Sequence, residues 1–299
     1  MPSVEIVEVG PRDGLQSEAD VLPTELKLEL IRKLTDAGIR RVEVASFVNP
    51  KRVPQMADAE AVLAGLKKEG NVRYVGLVLN RRGFDRAQAA GCSEIGMVTA
   101  ATESFAQRNQ GAPIEDTLRA WEEIAPLAAA AGIRAQVTIS VAFGCPFEGE
   151  VAPQQVVDIA RRLAASNPVE IAIADTIGVA VPTQVTELVA RTQEVIGSIP
   201  LRCHFHNTRN TAVANAFAAV SAGVATLDSS VGGIGGCPFA PNATGNVATE
   251  DLVYMLSRAG FDTGIDLYKL IEVAHWLERI RAKPVPGMVS KAGGFPRKL

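Results

Sequence analysis

Strand-like and helix-like segments alternate along most of the chain, and this alternation restricts the possible folds more than any other feature. The strand candidates are 4–9, 41–45, 72–79, 94–99, 135–141, 169–174, 199–206 and 225–229. The helix candidates are 23–37, 57–68, 81–90, 113–131, 153–165, 182–196, 211–222 and 249–258. Strands that alternate with helices form parallel sheets, and eight such units in about 260 residues favour a (β/α)8 TIM barrel.

A doubly wound open sheet is the alternative fold, but the sequence after the first strand does not favour it. Residues 10–14 read GPRDG and lack the GxGxxG turn that binds dinucleotide phosphates. We expect one catalytic domain over 1–299, with the barrel over about 4–260. A further helix, predicted over 267–282, would pack against the barrel or a partner subunit, and we expect the tail from Lys283 onward to be irregular.

Charge and composition argue against several classes of partner. The net charge of −3 and the 21% charged residues do not favour binding to nucleic acid or to an anionic membrane, and we interpret Lys67–Lys68 and Arg81–Arg82 as solvated surface. The sequence has no apolar run of about 18 residues and no signal-peptide pattern. The four cysteines are widely spaced, which argues against zinc knuckles and disulfides. These features predict a cytoplasmic protein.

Two of the three histidines stand one residue apart, in the segment CHFHN at 203–207. Side chains at alternate positions of a strand point to the same face, so His204 and His206 should converge. Histidine is the commonest metal ligand, and this spacing suits the binding of one metal ion. A hydrogen-bonded pair of strand histidines is the alternative interpretation.

Other polar residues follow the strands where a barrel places its active site, at the carboxyl ends. They are Arg12, Asp13 and Gln16 after the first strand, Glu43 in the second, Asp175 at the end of the sixth, Asp228 in the eighth, and Asn246 in the loop beyond it. Asp13, His204, His206 and Asn246 would form a site of oxygen and nitrogen ligands. Such ligands favour Mg²⁺ or Mn²⁺, although zinc is also possible.

Each of these residues also has a purely structural interpretation. Asp13 could be a turn or helix-cap residue, and Asn246 could be a turn residue. Asp175 could be a cap for the next helix, and Glu43 could be a solvated strand residue. Arg12 could form an ion pair with Glu43 or Asp175, or it could stabilise negative charge that develops on a substrate oxygen. Only the placement of all of them on one rim favours a functional site.

The glycine-rich segment GGIGGCP at 232–238 suits a mobile active-site lid that carries Cys237 as a proton donor. It could also suggest a phosphate-binding loop, but no lysine follows at P-loop spacing. The other cysteines are interpreted as small buried residues, and His275 as a helix packing residue.

Several motifs together closely resemble the 3-hydroxy-3-methylglutaryl-CoA lyases. They are the segments 8–16, 46–50, 53–56, 144–149, 175–179, 228–231, 235–238 and 245–251. The wider group also includes the isopropylmalate, homocitrate and citramalate synthases. The cysteine-bearing glycine loop is similar to the lyase branch.

The resemblance implies an active site with a divalent cation and no redox cofactor, in an enzyme that splits a CoA thioester into acetyl-CoA and acetoacetate. It implies Asp13, His204, His206 and Asn246 as metal ligands. It further implies catalytic roles for Arg12 and Cys237 and supporting substrate contacts for Gln16, Glu43 and Asp175. A homodimer is also expected.

The retro-aldol reaction removes a proton from a tertiary hydroxyl, breaks a carbon–carbon bond and leaves an enolate on the thioester. A metal ion would orient the substrate oxygens, Arg12 would hold the enolate oxygen, and Cys237 would return a proton. His204, Asp13 and a bound water are all candidates for the base.

The sequence departs from the lyases after the second histidine. They read HCHDTYG where this chain has HFHNTRN, so Asn207 replaces an acid and Arg209 adds a positive charge. Arg209 could therefore bind another carboxylate, a differently shaped acyl group or only the CoA phosphates, which leaves the exact substrate open. A Claisen-type synthase that joins acetyl-CoA to a 2-oxo acid, and a non-catalytic barrel that binds CoA esters, are the competing hypotheses.

Overall fold

Eight parallel strands form a closed barrel in chain order, with β8 paired to β1. The computed structural model describes residues 1–67, 70–236 and 245–296. The strands are β1 (Glu5–Glu8), β2 (Arg41–Ser46), β3 (Arg73–Leu77), β4 (Glu94–Ala100), β5 (Arg134–Ser140), β6 (Glu170–Asp175), β7 (Leu201–Phe205) and β8 (Thr226–Ser229). The prediction of a (β/α)8 barrel with an additional C-terminal helix is confirmed.

Helices cover the outside of the barrel and follow every strand. They are α1 (Thr24–Asp36), α2 (Ala59–Gly65), α3 (Arg81–Ala89), α4 (Glu103–Gln110), α5 (Ile114–Ala130), α6 (Pro153–Ala164), α7 (Pro182–Ile196), α8 (Ala212–Ser221), α9 (Thr249–Arg258), α10 (Leu267–Arg281) and α11 (Val289–Ala292). Among the described residues, no helix has both the length and the apolar character that crossing a membrane requires.

The apolar core lies between the strands and these helices. In α6, for example, Val156, Ile159, Ala160 and Leu163 are buried, which follows the spacing of one helix face. Burial of each large aliphatic side chain contributes about 1.5–3 kcal/mol to the stability of the fold.

Two helices were not predicted from the sequence. Helix α4 buries only Phe105 and Ala106 of its eight residues, so its apolar periodicity is weak. The prediction of an irregular tail is wrong at α11. The carboxylate of Asp251 accepts hydrogen bonds from the backbone N–H groups of Met288 and Val289, and this contact with a distant residue fixes the start of that turn.

The inside of the barrel is unusually polar for this fold, in which branched apolar residues normally fill the interior. Arg41 at the start of β2 reaches Glu94 on β4 (2.9 Å) and Glu170 on β6 (3.1 Å). Because these strands are not adjacent to one another, the contacts must cross the barrel interior. Buried ionic side chains therefore form the floor beneath the residues at the carboxyl ends of the strands.

Candidate active site

The turn after β1 presents two charged side chains at the carboxyl end of the barrel. It is one turn of π-helix, Gly10–Gly14, in which the Val9 carbonyl accepts hydrogen bonds from the N–H groups of Arg12, Asp13 and Gly14. A Cβ at Gly14 would lie 2.7 Å from the Ile234 side chain, so the close approach of that loop requires glycine here. Single π-helical turns of this kind are frequent at functional sites.

Asp13, His204 and His206 come together as the sequence predicts. One potential ligand atom from each of the three residues lies within 4.8 Å of the other two. Strand β7 ends at Phe205, and the two imidazole rings before and after it have centroids 5.1 Å apart. The three residues could bind a single metal ion.

Asn246 joins this group from the loop after β8. Its Nδ2 donates to Asp13 Oδ2 (2.8 Å) and to the carbonyl of Ile234 (3.1 Å). Among the described residues, its buried Oδ1 and the buried Nδ1 of His206 have no hydrogen-bond partner. Buried polar atoms are normally paired, and a bound cation would satisfy acceptors of this type, so the four residues fit a divalent metal ion.

The protonation states of two members of the group suit metal binding. Burial raises the pKa of Asp13, but the positive charge of Arg12, both imidazoles and the hydrogen bond from Asn246 outweigh it and bring this pKa to about 2. Burial and the neighbouring His204 lower the pKa of His206 to about 3. At neutral pH Asp13 is therefore ionised and His206 is neutral, as metal ligands must be.

Arg12 bridges two carboxylates. Its Nη1 donates to Asp13 Oδ1 (2.8 Å) and its Nη2 to Glu43 Oε2 (2.6 Å), so the ion pair with Glu43 is present. Burial lowers the pKa of Arg12, but the two carboxylates raise it above its ordinary value. The guanidinium is thus held beside the metal-binding group, and it also lines the cavity above it.

Besides its place in the metal-binding group, His204 forms a hydrogen bond with an aspartate that the sequence does not indicate as its partner. Its Nδ1 lies 3.1 Å from Asp228 Oδ2, on the neighbouring strand. Although burial raises the pKa of Asp228, Arg202 and His204 lower it below its ordinary value. From the sequence alone, Asp228 is identifiable only as a polar residue of the eighth strand. The pairing of β7 with β8 is the signal that could have identified its partner.

A cavity of about 1520 Å³ opens above these residues, and it includes some of the predicted substrate contacts but not others. Gln16 and Glu43 line the cavity, and the buried Oε1 of Gln16 has no partner among the described residues. Burial raises the pKa of Glu43. Cys237 lies outside the described residues; the residue before it, Gly236, lines the cavity.

Asp175 and Arg209 are not among the described residues that line the cavity. The two oxygens of Asp175 accept hydrogen bonds from the backbone N–H groups of Val179 (2.9 Å) and Ala180 (3.0 Å). Arg209 donates to the carbonyl of Gly178 (2.9 Å) and to that of the residue before it. Both side chains therefore secure the loop after β6. The interpretation of Asp175 as a cap for the next helix is wrong, because α7 begins at Pro182 with Val181 as its N-cap residue and the partners of Asp175 lie in the loop before it.

Cationic side chains form one wall of the cavity, and for Arg82 this position was not expected from the interpretation of Arg81–Arg82 as solvated surface. The wall consists of Lys51, Arg52, Arg82, Arg86 and Arg108, from the loop after β2, from α3 and from α4. Of these, Arg86 forms an ion pair with Glu60, whereas Lys51, Arg52, Arg82 and Arg108 form none within the part of the chain that the structure describes. The wall is therefore a surface with uncompensated positive charge.

Comparisons with known proteins identify the family of the chain. The profile of the HMGL-like family matches residues 3–277. The (R)-citramalyl-CoA lyase of Chloroflexus aurantiacus is 43% identical over 98% of this chain and 96% of its own length. The mitochondrial hydroxymethylglutaryl-CoA lyase of Bos taurus is 43% identical over 92% of this chain and 84% of its own.

A solved structure gives the same result at the level of the fold. An HMG-CoA lyase from Acinetobacter baumannii, in complex with coenzyme A and 3-methylmalate, superposes with a TM-score of 0.95 and 35% identity over 99% of this chain and 97% of that one. The predicted resemblance is confirmed: the chain belongs to the HMGL-like family and is an enzyme of the lyase class.

Proposed function

We propose that the protein is a divalent-metal-dependent carbon–carbon lyase. It would cleave 3-hydroxy-3-methylglutaryl-CoA, or a closely related 3-hydroxyacyl-CoA such as (R)-citramalyl-CoA, into acetyl-CoA and the matching oxo acid. The convergence of Asp13, His204 and His206 beside Arg12, at the base of a large cavity, is the observation that carries the proposal.

The cationic wall supports a CoA thioester as the substrate. Coenzyme A carries a 3′-phosphate and a pyrophosphate, and Lys51, Arg52 and Arg82 offer positive charge without competing carboxylates in the described structure. Arginine and lysine are the usual partners of phosphate groups. The wall and the metal-binding group line one cavity, so a single extended substrate would reach both.

The chemistry divides among the residues at the base of the cavity. Asp13, His204, His206 and Asn246 would hold Mg²⁺ or Mn²⁺, which would orient the substrate oxygens and acidify the tertiary hydroxyl. Arg12 already bridges two carboxylates and has a buried Nε without a partner among the described residues, so it can donate to an enolate oxygen on the thioester.

The reaction requires removal of the proton of the substrate hydroxyl and return of a proton to the acetyl carbon. The low pKa of Asp13, about 2, makes it a weak base for the substrate hydroxyl. Glu43 holds Arg12, and the amide oxygen of Gln16, which has no partner among the described residues, would accept a hydrogen bond from the substrate hydroxyl. We retain Cys237 as the donor that returns a proton to the acetyl carbon.

The two candidate substrates differ by one methylene between the carbinol carbon and the carboxylate. A pocket separates such compounds by about 1–3 kcal/mol, which corresponds to a 10–200-fold preference. Purified protein with Mn²⁺ should be given each thioester separately. Release of acetoacetate or of pyruvate would identify the preferred substrate, whereas no cleavage of either would contradict the proposal.

The competing synthase hypothesis has a distinct outcome in the same assay. A Claisen-type synthase would release free CoA from acetyl-CoA mixed with a 2-oxo acid, and a lyase would not. We further propose that residues 1–299 act as one catalytic unit, that the enzyme is a homodimer through its additional C-terminal helix, and that it acts in the cytoplasm.

A further inference from the structure

We propose that Asp228 is a positioning residue that fixes the tautomer and the ring orientation of His204. In this arrangement Nδ1 of His204 carries the proton and donates it to Asp228, which leaves Nε2 free to bind a cation. The inference rests on the proposed function, because His204 is there a metal ligand.

The pairing of the last two strands brings the two side chains together. Strand β7 pairs with β8 in the register Arg202 to Thr226 and Cys203 to Leu227, so the next pair places His204 opposite Asp228. The alternate residues Arg202 and His204 share the inner face of β7. Both residues, with Asp228, contact the interior cavity.

Asp228 is itself held in place from below. Its Oδ1 accepts a hydrogen bond from Nη1 of Arg202 (2.8 Å), while its Oδ2 faces Nδ1 of His204 (3.1 Å). The Nε of Arg202 forms an ion pair with Glu170 Oε2 (3.0 Å), and the side chains of Asp228 and Arg202 are 6% and 5% exposed. Each carboxylate oxygen of Asp228 therefore has its own partner and cannot exchange it for solvent.

The ionised carboxylate of Asp228 then determines which ring nitrogen of His204 carries the proton. A carboxylate only accepts, so Nδ1 of His204 must be the donor, and the lone pair of neutral histidine is on Nε2. Carboxylates behind metal-bound histidines fix ring orientation and increase ligand basicity. Loss of this contact would allow the proton to move from Nδ1 to Nε2, the nitrogen that we propose binds the cation.

The substitution Asp228→Asn distinguishes an effect on the tautomer of His204 from an effect of lost packing, because the two side chains have nearly the same size. Arg202 donates a hydrogen bond to Oδ1 of Asp228, so in the variant the amide oxygen would occupy this position. The amide nitrogen would then face Nδ1 of His204. Because this nitrogen donates, the tautomer should invert and the proton should move to Nε2. An analogous aspartate-to-asparagine change behind a catalytic histidine of another enzyme class also produces the wrong tautomer.

Two measurements test the proposal. Nitrogen-15 NMR of the metal-free protein at alkaline pH reads the tautomer directly, since the chain has only three histidines. Mn²⁺ titration followed by EPR reads metal affinity without any substrate. We expect His204 to be protonated on Nδ1 in the wild type and on Nε2 in D228N, and Mn²⁺ affinity to fall about 10–100-fold in the variant.

Asp58→Asn is the control, because Asp58 is likewise an aspartate in an ion pair, with Lys27 (2.6 Å), although it is only partly buried and lies outside the cavity lining in the described structure. It should leave both readings unchanged. Wild-type His204 protonated on Nε2, or D228N with wild-type Mn²⁺ affinity, would overturn the proposal. The wild-type spectrum decides even if D228N does not fold. Wild-type protein that binds no Mn²⁺ would instead contradict the proposed metal dependence.

Discussion

Arg12 lies between Asp13 and Glu43 and binds both, so its two terminal nitrogens are fixed by separate carboxylates. Lysine has a single cationic nitrogen and cannot reproduce this fork. We expect Arg12→Lys to lower kcat about 10²–10³-fold, because loss of one oriented donor to a developing oxyanion has an effect of this size. Steady-state kinetics with the preferred thioester would measure it.

Arg161→Lys is the control for this substitution, since Arg161 forms an exposed pair with Asp158 on α6. It should leave kcat unchanged. Circular dichroism should show both variants folded. A folded Arg12→Lys variant with wild-type kcat would exclude a role for the guanidinium in charge stabilisation.

The three histidines allow an internal comparison of metal binding. His206→Ala should reduce Mn²⁺ affinity at least about 100-fold, because it removes one of the few protein ligands. His275→Ala should bind Mn²⁺ like the wild type, since His275 contacts only the carbonyl of Ser290 (2.8 Å) outside the cavity lining in the described structure. Calorimetric titration would measure both. Equal affinities in the two variants would contradict the predicted site.

At the scale of residues, the sequence predicts what depends on local spacing and on strand ends. The alternation of His204 and His206 and the position of Asp13 after β1 were sufficient to place three side chains together. The roles of Asp175 and Arg209 could not be separated in the same way. Their partners are backbone groups of the loop 177–180, and no spacing rule indicates which loop groups a side chain will bind.

At the scale of elements, Glu8 joins three parts of the site scaffold. Its Oε1 accepts hydrogen bonds from the N–H groups of Gly10 (2.8 Å) and Val231 (2.9 Å), and its Oε2 accepts one from the hydroxyl of Thr249 (2.6 Å). These hydrogen bonds link the π-helical turn, the residue just before the glycine-rich segment 232–238, and the start of α9. Burial raises the pKa of Glu8 from 4.5 to about 7, although these hydrogen bonds lower it.

The raised pKa of Glu8 makes its contribution to stability dependent on pH. The folded state retains this proton after the unfolded chain has lost it, so the contribution is complete below pH 4.5 and is lost as pH rises through about 7. Glu8→Gln mimics the protonated form, because the amide oxygen can still accept from the N–H groups of Gly10 and Val231 and the amide nitrogen can donate to the hydroxyl oxygen of Thr249, which reverses the direction of that hydrogen bond. The free energy of unfolding of the wild type should fall relative to the variant by up to about 1.4 kcal/mol per pH unit in this window.

Urea unfolding of wild type and Glu8→Gln at several pH values would measure the difference. Glu18→Gln provides a comparison, because Glu18 forms its ion pairs with Arg281 and Lys283 and does not line the cavity in the described structure. If the difference in free energy of unfolding between wild type and Glu8→Gln stayed constant from pH 5 to pH 8, the prediction that folded Glu8 retains its proton would be contradicted.

The cationic wall makes a separate prediction about substrate binding. Lys51→Gln and Arg52→Gln should each raise KM for the CoA thioester roughly fivefold with little change in kcat, because an exposed charge pair contributes up to about 1 kcal/mol. The effect should diminish at high ionic strength. Arg32→Gln on α1 is the control, since Arg32 is paired with Asp36 (3.0 Å) away from the cavity. An unchanged KM in both wall variants would show that the phosphates bind elsewhere.

The helices differ in how well the sequence predicts them. Strong apolar periodicity predicted α1 and α7 to within a residue or two of the observed bounds. Helix α4 was missed because most of its side chains are polar, and its Arg108 instead stacks on Phe147 at 4.3 Å. A helix whose stability depends on such a tertiary contact has no local signal.

At the scale of the whole molecule, the barrel explains why residues far apart in sequence meet. All eight strands are parallel, so their carboxyl ends share one rim, and Asp13, His204 and Asn246 reach it from different parts of the chain. The sequence could predict this because strand and helix alternation is local. The polar interior below the rim could not be predicted, because it depends on which distant strands face each other across the barrel.

Dependence of turnover on a divalent cation tests the central claim most directly. The purified enzyme should be treated with a chelator and assayed for oxo-acid release from the preferred thioester before and after Mn²⁺ is restored. The account predicts no cleavage in the chelator and full recovery with Mn²⁺, and no recovery in His206→Ala. Undiminished cleavage by chelated enzyme shown by elemental analysis to be free of metal would contradict it.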